Sequence, residues 1–198
     1  MTGIETPRAA DIRRTTGETD ITVQLVLDGS GRSDIATGVG FLDHMLTLFA
    51  RHGRFDMSLH ASGDTQVDDH HTTEDAGIAL GQALRSALGE KRGIARYGHA
   101  YVPMDESLVR AVVDLSGRPF CVYDVPLPQP RVGSFDTELA EHFCQSLAFH
   151  AYLNLHVDLI RGRNTHHIIE AVFKALAVSL HQASRIVHGD IPSTKGTL

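Results

Sequence analysis

The chain has 198 residues, 42% of them hydrophobic and 21% charged, and a formal net charge of -6 with histidine neutral. That is ordinary for a globular protein, and the acidic balance excludes the global basic field that advertises nucleic acid. Two cysteines, Cys121 and Cys144, make no disulfide framework, no apolar run reaches membrane-spanning length, and Met1–Ile12 lacks the apolar core of a secretory signal, so a cytoplasmic protein without a membrane partner is expected.

In chain order, Ile21 to Leu27 alternates as a strand, and Asp28-Gly29-Ser30-Gly31 turns it. A short second strand is expected at Ser33 to Thr37. Phe41 to His52 carries an apolar side of Phe41, Leu42, Met45, Leu46, Leu48 and Phe49, which predicts a helix stopped by Gly53. Phe55, Met57 and Leu59 alternate with polar residues as a half-buried strand. After a loop at Asp64 to Asp69, a long helix runs from His70 through Ile78, Leu80, Leu84 and Leu88 to Gly89. The second half replays this order. Leu108 to Leu115 and Phe120 to Val125 read as strands joined by Ser116-Gly117-Arg118-Pro119. A proline-rich loop covers Pro126 to Gly133, a helix Asp136 to Tyr152, and a strand Leu155, Val157 and Leu159. Arg161 to Asn164 then loops into a last helix through Phe173, Leu176 and Leu180.

The order strand-strand-helix-strand-helix therefore occurs twice. Such halves favour an α+β fold with helices covering one face of a largely antiparallel sheet. Residues 1–198 read as one catalytic unit, with half one at about 14–95, half two at about 96–190 and a C-terminal tail at 191–198.

Within this repeat, one string is written twice: His70-His71-Thr72-Thr73-Glu74 and His166-His167-Ile168-Ile169-Glu170. Each copy has an acid-histidine pair upstream, Asp43-His44 and Glu141-His142. The second string lies 96 positions after the first, and His142 lies 98 after His44. His52 and His150 keep the same step and read as structural or supporting residues. At the start of a helix, residues i and i+4 share a face, so His70 can meet Glu74, and His166 can meet Glu170. Adjacent histidines diverge by about 100° and are poorly placed to hold one ion together. The spacing predicts two ions, each taking one histidine of each pair. Imidazole with carboxylate suits Zn, Fe or Mn, and positions left open on the ion point to catalysis. A single His-His-x-x-Glu is usually a solvated helix face; its repetition at matched positions points to metal. Divergent histidines also favour bridging between chains, hence a homo-oligomer whose assembly depends partly on metal.

The chain resembles the imidazoleglycerol-phosphate dehydratases of histidine biosynthesis, in their monofunctional form. The matching strings are Gly38-Val39-Gly40-Phe41-Leu42-Asp43-His44-Met45-Leu46, Asp69 to Asp75, Pro103-Met104-Asp105-Glu106, Asp114-Leu115-Ser116-Gly117-Arg118-Pro119, Asn164 to Ala171 and Pro192-Ser193-Thr194-Lys195-Gly196. Thr73 stands where the family often has Val. The resemblance implies two repeated halves, each a four-stranded sheet backed by helices, in the ribosomal protein S5 domain 2-like manner. It implies self-assembly into trimers and a metal-dependent 24-subunit shell with sites shared between subunits. It implies a hydro-lyase that dehydrates D-erythro-imidazole-glycerol phosphate to imidazole acetol phosphate. Two Mn2+ ions per active site would bind the substrate imidazolate, and no organic cofactor is implied.

By position, the resemblance makes His44, His71, His166 and Glu170 one ligand set and His70, Glu74, His142 and His167 the other. Glu18 matches the catalytic glutamate, with Asp105 and Glu106 as further candidates to hold a substrate hydroxyl or a water. Arg96, Arg118, Lys174, Ser193 and Lys195 match positions that grip the phosphate, where arginine forks and lysine point charges suit the oxygens. Without the resemblance, Glu18 would read as a solvated loop charge, Lys174 as an i,i+4 partner of Glu170, and Ser193 and Lys195 as an ordinary terminus. A metallohydrolase would carry His-Glu-x-x-His, which is absent, and a metal-storing shell would have no use for a phosphate grip.

Overall fold

The computed structural model describes residues 8–198. The reading of Met1–Ile12 therefore lies mostly outside the described residues. The first half runs β1 (Ala9–Thr15), β2 (Thr19–Val26), β3 (Ser33–Ala36), α1 (Gly40–Gly53), β4 (Asp56–Gly63) and α2 (His70–Leu88). The second runs β5 (Tyr97–Met104), β6 (Ser107–Asp114), β7 (Phe120–Asp124), β8 (Arg131–Val132), β9 (Phe135–Asp136), α3 (Leu139–His150), β10 (Asn154–Arg161) and α4 (Thr165–Ser184).

The first sheet has the order β1-β2-β4-β3 and the second the order β5-β6-β10-β7. In each sheet the first three strands are antiparallel, and the fourth joins its neighbour in parallel. A parallel pair cannot be closed by a tight turn and needs a crossover; α1 and α3 are those crossovers. Alternation fixes the register, because a one-residue slip would turn the apolar set to water. Ile21, Val23 and Leu25 pair with Ala61, Leu59 and Met57, and Val109, Ala111 and Val113 of β6 pair with Leu159, Val157 and Leu155.

The helices lie between the two sheets. α2 packs on β1, β2 and β4, α4 packs on β5 and β6, and the helix pairs are crosswise: α1 with α4 and α2 with α3. Each pair thus joins the two halves, and one continuous apolar core runs through both. The α2–α3 seam is close because α2 carries glycine at two positions on one face. A Cβ on Gly77 would come 2.9 Å from the Phe143 carbonyl oxygen, and one on Gly81 would come 2.7 Å from that of Leu147.

The α+β repeat agrees with the expectation, as do the four-stranded sheets that the resemblance implies, and two features go beyond the chain-order reading. Each half has a fourth strand, β1 or β5, ahead of the first strand predicted; half one accordingly begins by Ala9 rather than at about residue 14. The expected proline-rich loop holds a small hairpin, β8–β9, so α3 starts at Leu139 and not at Asp136. Asp136 instead pairs with Arg131 at 2.6 Å, and the Thr137 hydroxyl donates to the Gln129 carbonyl at 2.9 Å, which pins that hairpin.

Candidate active site

His44 stands in the first turn of α1. The Asp43 carboxylate before it accepts from the Thr37 amide at 2.8 Å and the Thr37 hydroxyl at 2.6 Å, anchoring the start of that helix. Asp43 is therefore structural, which explains the acid of the first acid-histidine pair; in the second, Glu141 accepts from the Gln145 side-chain amide at 2.8 Å. At α4, Asn164 caps the helix by accepting from the His167 amide at 3.3 Å. One turn separates His166 from Glu170. Because α1 packs on α4, three donors meet: the Nε2 atoms of His44 and His166 each lie 3.3 Å from the same Glu170 Oε2. All three donor atoms fall within 4.8 Å of one another, the one such group among the described residues.

Glu170 is 9% exposed at its side chain, His44 46% and His166 41%, so the cluster is closed behind and open in front. Burial pushes the Glu170 carboxyl up, but Lys174, 2.5 Å from Oε1, and His44 outweigh it and hold the acid below its ordinary range. Phe41 presents an edge contact to the His166 ring at 5.2 Å and packs, tilted at 45°, 5.1 Å from Phe135 of the β8–β9 hairpin, forming a wall. Two imidazole nitrogens and one carboxylate oxygen aimed at one point are a fitting donor set for Zn, Fe or Mn, with room for further ligands.

The matching α2–α3 seam brings the rings of His70 and His142 to 4.8 Å. Glu74 lies one turn beyond His70, half-buried. The other histidine of each string turns away: the rings of His70 and His71 are inclined at 85°, as are those of His166 and His167. His71 places Nδ1 3.0 Å from Asp64 and Nε2 3.7 Å from Glu18. His167 places Nδ1 2.8 Å from Glu106 and Nε2 3.9 Å from Asp105. The bond to Asp64 raises the His71 pKa and the bond to Glu106 raises that of His167, against the smaller effect of burial. Neither four-ligand set expected from the sequence is thus assembled within one chain; His71 and His167 stand apart from the clusters to which they were assigned.

Glu18 projects from the β1–β2 turn, whose shape is set by Thr16: its hydroxyl accepts from the Glu18 amide at 3.1 Å and the Thr19 amide at 3.0 Å. The turn is tied to α2 through Asp75, which pairs with Arg14 at 2.8 Å and accepts from the Thr19 hydroxyl at 2.5 Å. Asp75 was not singled out in the sequence, although it adjoins Glu74. Asp105 occupies the equivalent β5–β6 turn, exposed and in the left-handed region at φ 47°. Glu106 is less free than expected of a residue that holds a substrate hydroxyl or a water. Its Oε1 accepts from Ser107, Arg163 and Asn164, its Oε2 faces His167, and these bonds hold it well below the usual carboxylate range.

The expected phosphate residues fall into two places. Lys174 lies beside Glu170. Arg96 lies at the other end of α4, donating its amide to the Ala183 carbonyl at 2.9 Å, its Nε to Asp114 at 2.8 Å and an Nη to the Pro192 carbonyl at 2.8 Å. That last bond holds the tail carrying Ser193 and Lys195, and the end of the tail reaches Gly117, next to the exposed Arg118. At 1.5 Å per residue, Ala183 stands about 25 Å along the helix from His166. One chain does not bring Arg96, Arg118, Ser193 and Lys195 to its own His44–His166–Glu170 cluster. The matched histidines keep separate surroundings too: His150 bonds the Ser146 carbonyl at 2.9 Å, and burial lowers the His52 pKa.

Comparison with known proteins gives a consistent result. The family described as imidazoleglycerol-phosphate dehydratase matches residues 37–180. The imidazoleglycerol-phosphate dehydratase of Roseiflexus sp. is 58% identical over 194 residues, covering 96% of this chain and 98% of that protein. That of Salinibacter ruber is 56% identical, with 97% and 96% covered. Among solved structures, the Staphylococcus aureus enzyme superposes with a TM-score of 0.82 at 45% identity, over 90% of this chain and 99% of that one. The Pyrococcus furiosus enzyme, solved in complex with (S)-C348, gives 0.83 at 40%, over 94% and 100%. No described helix is long and apolar enough to cross a membrane.

Proposed function

The chain belongs to the imidazoleglycerol-phosphate dehydratase family, enzymes of histidine biosynthesis, and from that membership we propose how its own residues carry the reaction. The substrate is D-erythro-imidazole-glycerol phosphate and the product imidazole acetol phosphate. The observation that carries the reading is the convergence of His44, His166 and Glu170 on one point that faces outward.

His44, His166 and Glu170 would hold one Mn2+, and His70, Glu74 and His142 another. When bound, such ions would supply Lewis acidity to the substrate's imidazole, so that charge left by proton removal could spread into the ring. Lys174 binds Glu170 through Oε1 and leaves Oε2 turned to the two histidines. Glu18 takes the proton from carbon: it sits on a turn fixed by Thr16 and Asp75, beside the outward nitrogen of His71. Asp105, beside His167 in the equivalent turn, holds a substrate hydroxyl or a water.

The phosphate is gripped by Lys174 together with Arg96, Arg118, Ser193 and Lys195. Since Arg96 anchors the tail set at Ala183, about 25 Å along α4 from His166, that set serves a site on a neighbouring copy. His71 and His167, held away from their own chain's clusters, likewise complete sites on other copies. Each subunit thus lends ligands outward, which supports trimers that close into a metal-dependent 24-subunit shell. The free thiols of Cys121 and Cys144 fit a reduced cytoplasm.

The test is direct. Mn2+-loaded protein should convert imidazole-glycerol phosphate to the ketone. Chelation should stop turnover and lower the particle mass on light scattering. Turnover that survives exhaustive chelation would refute the metal-dependent reading.

A further inference from the structure

Asp64 and Glu106 do the same thing by unrelated routes. Asp64 lies in the loop between β4 and α2 and places Oδ2 3.0 Å from Nδ1 of His71, with Oδ1 at 3.3 Å. Glu106 lies in the β5–β6 turn and places Oε2 2.8 Å from Nδ1 of His167. The histidines are repeat partners, but the acids are not. Glu106 corresponds to the turn that holds Glu18, and Asp64 has its counterpart near Gly162. A duplicated sequence passes on matching residues without any need for them. Arrival at the same contact from different positions indicates that the contact itself is required.

The need follows from where these two histidines point. His44 and His166 are ordered by one another and by Glu170 inside one chain. His71 and His167 hold no place in such a cluster, so a site on another copy cannot orient them before assembly. Their orientation must come from their own chain. A carboxylate that accepts a hydrogen bond from Nδ1–H does this: it leaves the lone pair on Nε2 and directs that nitrogen outward.

We propose that Asp64 and Glu106 are positioning residues that hold His71 and His167 in the Nδ1–H tautomer, with Nε2 presented to a metal ion bound mainly by another copy of the chain. The proposal rests on the metal-dependent reading above. It also removes Glu106 from proton transfer and leaves Glu18 and Asp105 as the carboxylates free to act.

The geometry makes glutamine at position 106 a sharp probe. In Glu106→Gln, the oxygen stays with Ser107 and the amides of Arg163 and Asn164, so the amide NH2 faces His167 Nδ1. That contact requires the lone pair on Nδ1 and the proton on Nε2, the wrong tautomer for a ligand. Asp64 has both oxygens near Nδ1, so Asp64→Asn can turn its oxygen to the ring and keep the tautomer, while Asp64→Ala cannot.

The full chain would be titrated with MnCl2. Free Mn2+ would be followed by electron paramagnetic resonance, particle mass by light scattering, and melting of the metal-free protein by circular dichroism. Glu106→Gln and Asp64→Ala should raise the Mn2+ midpoint of assembly by about 10- to 100-fold. Asp64→Asn should stay close to the parent, and metal-free Glu106→Gln should melt as the parent does. A Glu106→Gln variant that folds normally and assembles at the parent's Mn2+ concentration overturns the proposal. A parent protein that binds no Mn2+ overturns the metal-dependent reading and this proposal with it, and is told apart because no variant is then needed.

Discussion

His44 Nε2 lies 3.3 Å from Glu170 Oε2, although 126 residues separate them and they belong to opposite halves of the repeat. The contact exists because α1 packs on α4, and it is one edge of the proposed metal cluster. Substituting either residue should therefore remove one ion and not both. Protein dialysed in Mn2+ should retain about two ions per subunit, and His44→Ala or Glu170→Gln about one, by elemental analysis. Equal metal content in parent and variants would sink the assignment.

Glu18 separates chemistry from assembly. Its carboxylate touches no ligand cluster of its own chain except the outward nitrogen of His71 at 3.7 Å. Glu18→Gln should keep Mn2+ content and particle mass but lose kcat by about 10²- to 10⁴-fold, the usual weight of a general base. A variant with unchanged kcat would exclude Glu18 as the proton acceptor.

Removal of residues 192–198 tests the tail. Arg96 holds this segment through the Pro192 carbonyl, far from the His44–His166–Glu170 cluster of the same chain. The truncated protein should bind Mn2+ normally and show a KM raised at least about 10-fold, since a charge-assisted phosphate contact contributes about 1.5–3 kcal/mol. An unaltered KM would show that the tail does not reach the phosphate.

The repeat and the pairing of histidines with glutamates in it were legible in the sequence because both depend on periodicity: helix and strand alternation, and two strings at one offset. β1 and β5 were not, for physical reasons. Both are edge strands. In β1 the inward side includes Arg14, which reaches Asp75, and in β5 it begins with Gly98, where a Cβ would meet the Ser179 carbonyl of α4 at 1.9 Å. Such strands carry little of the hydrophobic signal. Which histidines meet was not legible either. Spacing shows that His70 and His71 diverge, but only the crosswise helix pairing shows that His70 meets His142 while His71 meets Asp64.

Stability should respond to pH through His181. Burial pushes its pKa below the ordinary 6.5, helped by Arg54 and Arg185 and opposed by the Gly53 backbone and Asp28. A folded-state pKa below the unfolded value means that the unfolded chain takes up the proton first as pH falls, so stability is lost below pH 6.5. The melting-temperature advantage of the parent over His181→Gln, measured metal-free, should shrink between about pH 8 and about pH 5. An advantage that grows on acidification would contradict the depressed pKa.

Gly81→Ala tests the α2–α3 seam. Alanine favours the helix by about 1 kcal/mol, but its Cβ would lie 2.7 Å from the Leu147 carbonyl oxygen, and overpacking costs about 1–3 kcal/mol. Urea denaturation should show net destabilisation, and Mn2+ affinity should fall as His142 moves away from His70. A stabilised variant would mean that the seam can open without cost.

The crosswise packing of the helices also bears on how such a chain can change. In a pair of identical short proteins related by a twofold axis, every substitution appears twice, and a residue useful on one side must be tolerated on the other. With both halves in a single polypeptide, each position is inherited once. The two seams can then keep their histidines and glutamates in step while the residues around them drift apart. An aspartate before one string and a glutamate in a distant turn for the other are such a difference, one that two identical chains could not carry.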